Sequence, residues 1–160
     1  MFFIKLSLLL IIFCASSYIW TFLHELAHLI SAKLLVGVNK WEIDVPLIPT
    51  KSDDVLTHGK CALTFKRKPK VYEKFLVYLS PKILELLAFV FWLYFLINVN
   101  IVGAMLFAHP VITYISDIFN NCKGCDVVET SNFSGINHWI LRLLFANLFI
   151  FLLLLGVRFL

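Results

Sequence analysis

The chain has 160 residues, of which 61% are hydrophobic, and its mean hydropathy is +0.89. Values this high exclude an ordinary soluble domain and point to a single domain built in a lipid bilayer, residues 1–160. The formal net charge is +4, but nine of the fourteen Lys and Arg residues fall between Lys33 and Lys74, a bias that marks a cytosolic loop of a membrane protein rather than a nucleic-acid surface.

Lys5 followed by the apolar run Leu6 to Ala15, with Ala15, Ser16 and Ser17 next, has the form of a signal peptide. Apolar character resumes at once through Tyr18 and Leu23 to Val36, which is the pattern of an uncleaved anchor. Residues 2–36 contain neither Pro nor Gly, so they form one helix, about 52 Å long at about 1.5 Å per residue. That exceeds a hydrocarbon core of about 30 Å, and the helix must tilt or protrude.

Gly37 ends this first span. In the cytosolic loop, residues 37–80, apolar Trp41, Ile43, Val45 and Leu47 alternate with charged Glu42 and Asp44, the period of a strand. Pro46 and Pro49 confine that strand to an edge. Cys61, Leu63 and Phe65 alternate again after the turn-like Thr57-His58-Gly59-Lys60, so a small β-hairpin is expected. Lys66 to Lys70 is basic, Val71 to Leu79 reads as an interfacial helix, and Ser80-Pro81 reads as N-cap and first position of the second span, 81–99. Lys82 and Glu85 then lie in its first turns, within reach of water or headgroups.

Asn98 and Asn100 bracket a short outer turn before the third span, 101–118, which Pro110 bends by removing a backbone hydrogen bond. Residues 119–137 are polar and turn-rich, and the fourth span covers 138–159. The whole is mainly α: a polytopic membrane bundle of about four transmembrane helices with the hairpin after the first. Cys122 and Cys125 are open to three readings: half a metal site, a redox pair or two residues of a turn.

His24-Glu25-Leu26-Ala27-His28 is an HExxH pattern. Residues i and i+4 share a helix face, so His24 and His28 can bind one Zn2+ while Glu25 acts as general base on the metal's water. Ionisable groups within a span cost about 2.5–3.5 kcal/mol each on insertion scales, and three in one turn require a compensating role. Metal binding supplies one; a buried polar cluster or an ion pathway is the alternative. A catalytic zinc takes a third protein ligand. Asp117 is the expected one, since its depth near the cytosolic end of the third span roughly matches that of His28, especially if the helix unwinds after Pro110. His109, Asp126, Glu129 and His138 are the other candidates.

These residues resemble the site-2 protease class of intramembrane zinc metalloproteases, and more closely the small zincin-like membrane peptidases related to it, over most of the chain. In that class HExxH lies in one span, a strand-rich cytosolic loop follows, and a later span contributes an Asp ligand, typically eight residues after the Asn of an Asn-Pro pair. Here His109-Pro110 stands in that place, and Asp117 follows eight residues after His109. Ser80-Pro81 is similar to the Gly-Pro that opens the span after the loop, and Ser116-Asp117-Ile118 to the Gly-Asp-Ile of the smaller relatives. His109 in place of Asn, and Ile118-Phe119 in place of Gly-Gly, depart from the class pattern. The resemblance implies peptide-bond hydrolysis in or near the transmembrane segment of another protein, with one Zn2+ per chain, and the Lys and Arg bias of the loop puts the opening of the active site toward the cytosol. It also suggests that the hairpin's edge strand pairs with an unwound substrate; the alternative is a loop resting on anionic headgroups. The leading non-enzymatic reading is a polytopic metal-binding or ion-pathway protein. Oligomeric state and substrate identity are not encoded legibly.

Overall fold

A computed structural model describes residues 2–46, 50–52, 55–57, 59–119 and 126–158. Helix α1 (Phe2–Leu35) is followed by strands β1 (Val38–Asp44), β2 (Thr50–Ser52), β3 (Val55–Thr57) and β4 (Lys60–Phe65). Helices α2 (Val71–Ile97), α3 (Ile101–Phe119), α4 (Asp126–Ser134) and α5 (His138–Arg158) complete the chain. Of these, α1, α2, α3 and α5 are long and apolar enough to cross a membrane.

The distribution of polarity agrees with lipid as solvent. Phe3, Leu10, Ile83, Leu87, Leu143 and Leu154 are exposed, while Glu25, His28, Lys82, Glu85, Asp126 and Arg142 are buried. A soluble protein would reverse this arrangement.

The unbroken apolar run makes α1 one helix, and Gly37 stops it. At φ +81 this glycine adopts a left-handed C-terminal conformation, with its N–H donating to the Ala32 carbonyl. The chain then reverses into β1, which pairs antiparallel with β4, Trp41 opposite Leu63 and Ile43 opposite Cys61. The expected hairpin is therefore present, with a second antiparallel pair, β2 and β3, beyond it. Cys61, Leu63 and Phe65 turn to its more buried side, but Trp41 faces out beneath the Lys33 ammonium, 4.9 Å from the ring centroid. β1 stops at Asp44, short of Pro46; Pro49, His58, Cys122 and Cys125 lie outside the described residues.

The hairpin does not project from the end of α1 but folds back beside it. Lys66 N–H donates to the Gly37 carbonyl at one end of β4. At the other end, Gly59 lies so close to Thr21 and Glu25 that an added Cβ would fall 2.7 Å from Thr21 Cγ2 and 2.9 Å from Glu25 Oε1. Such irregular backbone beside a spanning helix is permitted where it lines a polar cavity.

The second span corrects the expectation. Residues 71–79 and 81–97 are one helix, with Pro81 buried inside it, and the inter-span loop ends at Lys70 instead of residue 80. At the N-terminus the Lys70 N–H donates to Glu73 Oε2 at 2.7 Å, and Arg67 makes a two-pronged ion pair with Glu73 at 2.6 and 2.7 Å while donating to the Leu35 carbonyl. This one guanidinium ties the end of α1 to the start of α2.

Asn100 caps α3 through the Gly103 N–H, and the connection turns at Val99 with φ +52. Gly103 admits the ring of Phe95 so closely that α2 and α3 pack backbone to side chain. Pro110 also lies inside a continuous helix. Its missing N–H frees the Leu106 carbonyl, which accepts from Ser16 Oγ and from Trp20 Nε1 (2.7 Å), so α1 supplies the lost bonds and α3 does not unwind. The core joins α3, α4 and α5 through Tyr114, Ile118, Val127, Leu141 and Phe145, with Tyr114 Oη donating to the Phe145 carbonyl.

Candidate metal centre

His24 and His28 sit one turn apart on α1 with ring centroids 5.2 Å apart. Their Nε2 atoms converge on one carboxylate: His24 Nε2 is 3.1 Å from Asp126 Oδ2, and His28 Nε2 is 3.2 Å from Asp126 Oδ1. Ligand atoms of these three residues all lie within 4.8 Å of one another, and among the described residues they are the group that could hold a metal ion. Glu25, between the histidines in sequence, is buried beside Gly59.

The carboxylate at the centre is therefore Asp126, not the expected Asp117. Asp126 is the first residue of α4, a helix that packs on α2 and was expected only as polar turn. Asp117 remains on unbroken α3, where the Lys82 ammonium takes it up in an ion pair. The reason is the capping of the Leu106 carbonyl described above: with no backbone bond left open, nothing unwinds α3 to deliver Asp117 to the imidazoles. His109 is also elsewhere, with Nε2 3.2 Å from Thr21 Oγ1. His138 opens α5, as expected of it.

α4 did carry a sequence signal. Asp126-Val127-Val128-Glu129 is an acidic helix start with the spacing of a capping pair, and Gly135, at φ +71, ends the helix.

Outside the three converging groups, α2 lines the far side of both imidazoles. His24 Nδ1 donates to Glu85 Oε1 at 2.9 Å, and His28 Nδ1 donates to the Val77 carbonyl at 2.9 Å. That carbonyl is available because Pro81, four residues on, has no N–H to occupy it. Ser80 Oγ also donates to it. Glu85 Oε2 accepts from Lys82 Nζ at 2.8 Å, and Glu85 Oε1 accepts from Thr113 Oγ1 at 3.2 Å. Lys82 and Glu85, expected near the interface, are instead 3% and 2% exposed within the bundle. They neutralise each other there, which removes the need for water or headgroups.

Within this cluster one polar atom is left over. Asp126 Oδ2 is buried and has no hydrogen-bond partner among the described residues; His24 Nε2 is within ion-pair distance but without hydrogen-bond geometry. An anionic oxygen without a donor is costly in this setting, and a cation between it and the two Nε2 atoms would satisfy all three. The donor set of two imidazoles and one carboxylate fits a divalent metal of the first transition row.

Comparisons of the chain with protein-family models, with curated proteins and with solved structures find no match.

Proposed function

We propose that this chain is an intramembrane zinc metalloprotease of the site-2 protease type, which hydrolyses peptide bonds in or near the transmembrane segments of other proteins. The observation that carries this reading is the convergence of His24 Nε2, His28 Nε2 and the Asp126 carboxylate, whose Oδ2 has no hydrogen-bond partner among the described residues, with Glu25 on the same helical turn. Tetrahedral zinc with bonds of about 2.0–2.1 Å sets its ligand atoms about 3.3 Å apart, close to the 3.1 and 3.2 Å separations between imidazole and carboxylate.

His24, His28 and Asp126 would hold the metal in this reading. When bound, zinc supplies Lewis acidity toward a water and the scissile carbonyl. The Glu25 carboxylate accepts the water's proton as the oxygen attacks, then delivers that proton to the departing amine nitrogen. Burial of Glu25 beneath Gly59 keeps bulk water from competing for it. The unwound substrate backbone lies beside the hairpin, in reach of a free strand edge. The Lys and Arg bias of residues 33–74 supports an opening on the cytosolic side.

A metal-binding or ion-pathway protein is the second reading, favoured by the ion-paired row Asp117, Lys82, Glu85 and His24, buried at Lys82 and Glu85 and partly exposed at its two ends. Zinc content and cleavage of single-span membrane polypeptides, measured on purified wild type and Glu25→Gln, separate the two. The protease reading expects stoichiometric zinc in both proteins and cleavage only by wild type. Folded wild-type protein that takes up no transition metal refutes it, and metal uptake without hydrolysis of any substrate favours the second.

A further inference from the structure

The groups on α2 that face the imidazoles have no part in the reaction as proposed, yet their arrangement is specific. Glu85 is a hub for three helices: Oε1 accepts from His24 of α1 and Thr113 of α3, and Oε2 accepts from Lys82 of its own helix. A structural ion pair with Lys82 would need neither of the other two donors. The Val77 carbonyl is the second such group, opened by Pro81 and occupied by His28 Nδ1. A backbone carbonyl can only accept, so this contact places a proton on His28 Nδ1, which in the neutral ring leaves Nε2, 3.2 Å from Asp126 Oδ1, as the nitrogen open to a metal. Glu85, flanked by the Lys82 ammonium, makes the same demand of His24.

We infer that α2 is the orienting element of the metal centre, with Glu85 a positioning residue for His24 and Pro81 a positioning residue for His28. The inference rests on the zinc-site reading above and deepens it. Outer partners of this kind set ring orientation and ligand basicity, and their loss typically costs 10–100-fold in metal affinity. Pro81 acts indirectly. An alanine there would restore an N–H four residues after Val77, and that N–H would compete with His28 for the carbonyl.

Zinc affinity of the full chain in detergent, measured by competition with a chromophoric chelator, tests the assignment together with the visible absorption of the cobalt-loaded protein. Glu85→Ala is expected to weaken zinc binding by about 10–100-fold and Pro81→Ala by about tenfold, each with altered cobalt bands. Glu85→Gln, which keeps an acceptor oxygen, recovers part of the loss. Tyr114→Phe, which deletes a buried hydrogen bond to the Phe145 carbonyl, should lower thermal stability without moving either metal readout. If Glu85→Ala does not fold, Glu85→Gln and Pro81→Ala carry the test. Wild-type affinity and unchanged cobalt bands in these variants, with zinc lost in His28→Ala, overturn the positioning roles and leave the metal site standing. Wild type that binds neither metal removes the site and this inference with it.

Discussion

Asp117 and Asp126 both lie near Lys82, at ion-pair contact and at 3.7 Å respectively, and they differ in what else they meet. Asp126 faces two imidazoles; Asp117 does not. Asp126→Asn is therefore expected to lower zinc affinity by at least about tenfold. Asp117→Asn should leave it within about twofold while costing about 1–3 kcal/mol of stability, because Lys82 keeps Glu85 but loses a charged partner. Chelator competition and thermal unfolding of the two variants check both statements, and loss of zinc in Asp117→Asn alone would restore the ligand expected from sequence. That His24 and His28 would share one face of α1 was legible because i and i+4 on a helix is local geometry that sequence spacing encodes. Which carboxylate meets the two imidazoles was not, because that depends on which segment returns to α1. Depth arithmetic along a supposedly unwinding α3 could not foresee that Ser16 and Trp20 would occupy the Leu106 carbonyl.

The elements were legible wherever one physical signal dominated. Apolar length gave α1, α3 and α5 within about two residues of their observed ends, and alternation gave β1 and β4. Two boundaries failed, each for a reason of packing. Ser80-Pro81 carries the composition of a helix start, but Pro81 is accommodated mid-helix because its freed carbonyl is used by His28 and Ser80. α4 is too short for a periodicity argument and shows only its caps. Close approach of elements also gives testable consequences. Gly103→Val would drive a side chain into the Phe95 ring and is expected to destabilise the α2–α3 pair by about 1–3 kcal/mol, measurable as a lower unfolding temperature. The docking of β4 on α1 predicts the reactivity of Cys61, whose thiol is pushed up to about 11, first by burial and then by the Glu25 carboxylate. A raised thiol pKa means less thiolate, so maleimide labelling at pH 7 should be more than about a hundredfold slower than for an ordinary cysteine. Glu25→Gln removes the neighbouring negative charge and should accelerate it severalfold. Equal rates in the two proteins would place the hairpin away from Glu25.

For the molecule as a whole, metal and fold are linked by mass action. A ligand that binds only the native bundle at about 100 times its dissociation constant adds about 2.7 kcal/mol of stability. Zinc at that excess is expected to raise the unfolding temperature of wild type, a chelator to reverse the rise, and His24→Ala to respond to neither. An equal response in His24→Ala would show that zinc acts elsewhere. The short link between α2 and α3 has a further consequence for biogenesis. Because it consists of Asn98, Val99 and Asn100 alone, residues at similar distances from the bend must face each other, as Phe95 does Gly103, Glu85 does Thr113 and Lys82 does Asp117. A helical hairpin entering lipid as one unit would thus bring Lys82 already matched to Asp117, and Glu85 to Thr113. Lengthening that bend would shift the ladder of partners and leave Asp117 without its ammonium among the acyl chains during insertion, before any metal could be acquired.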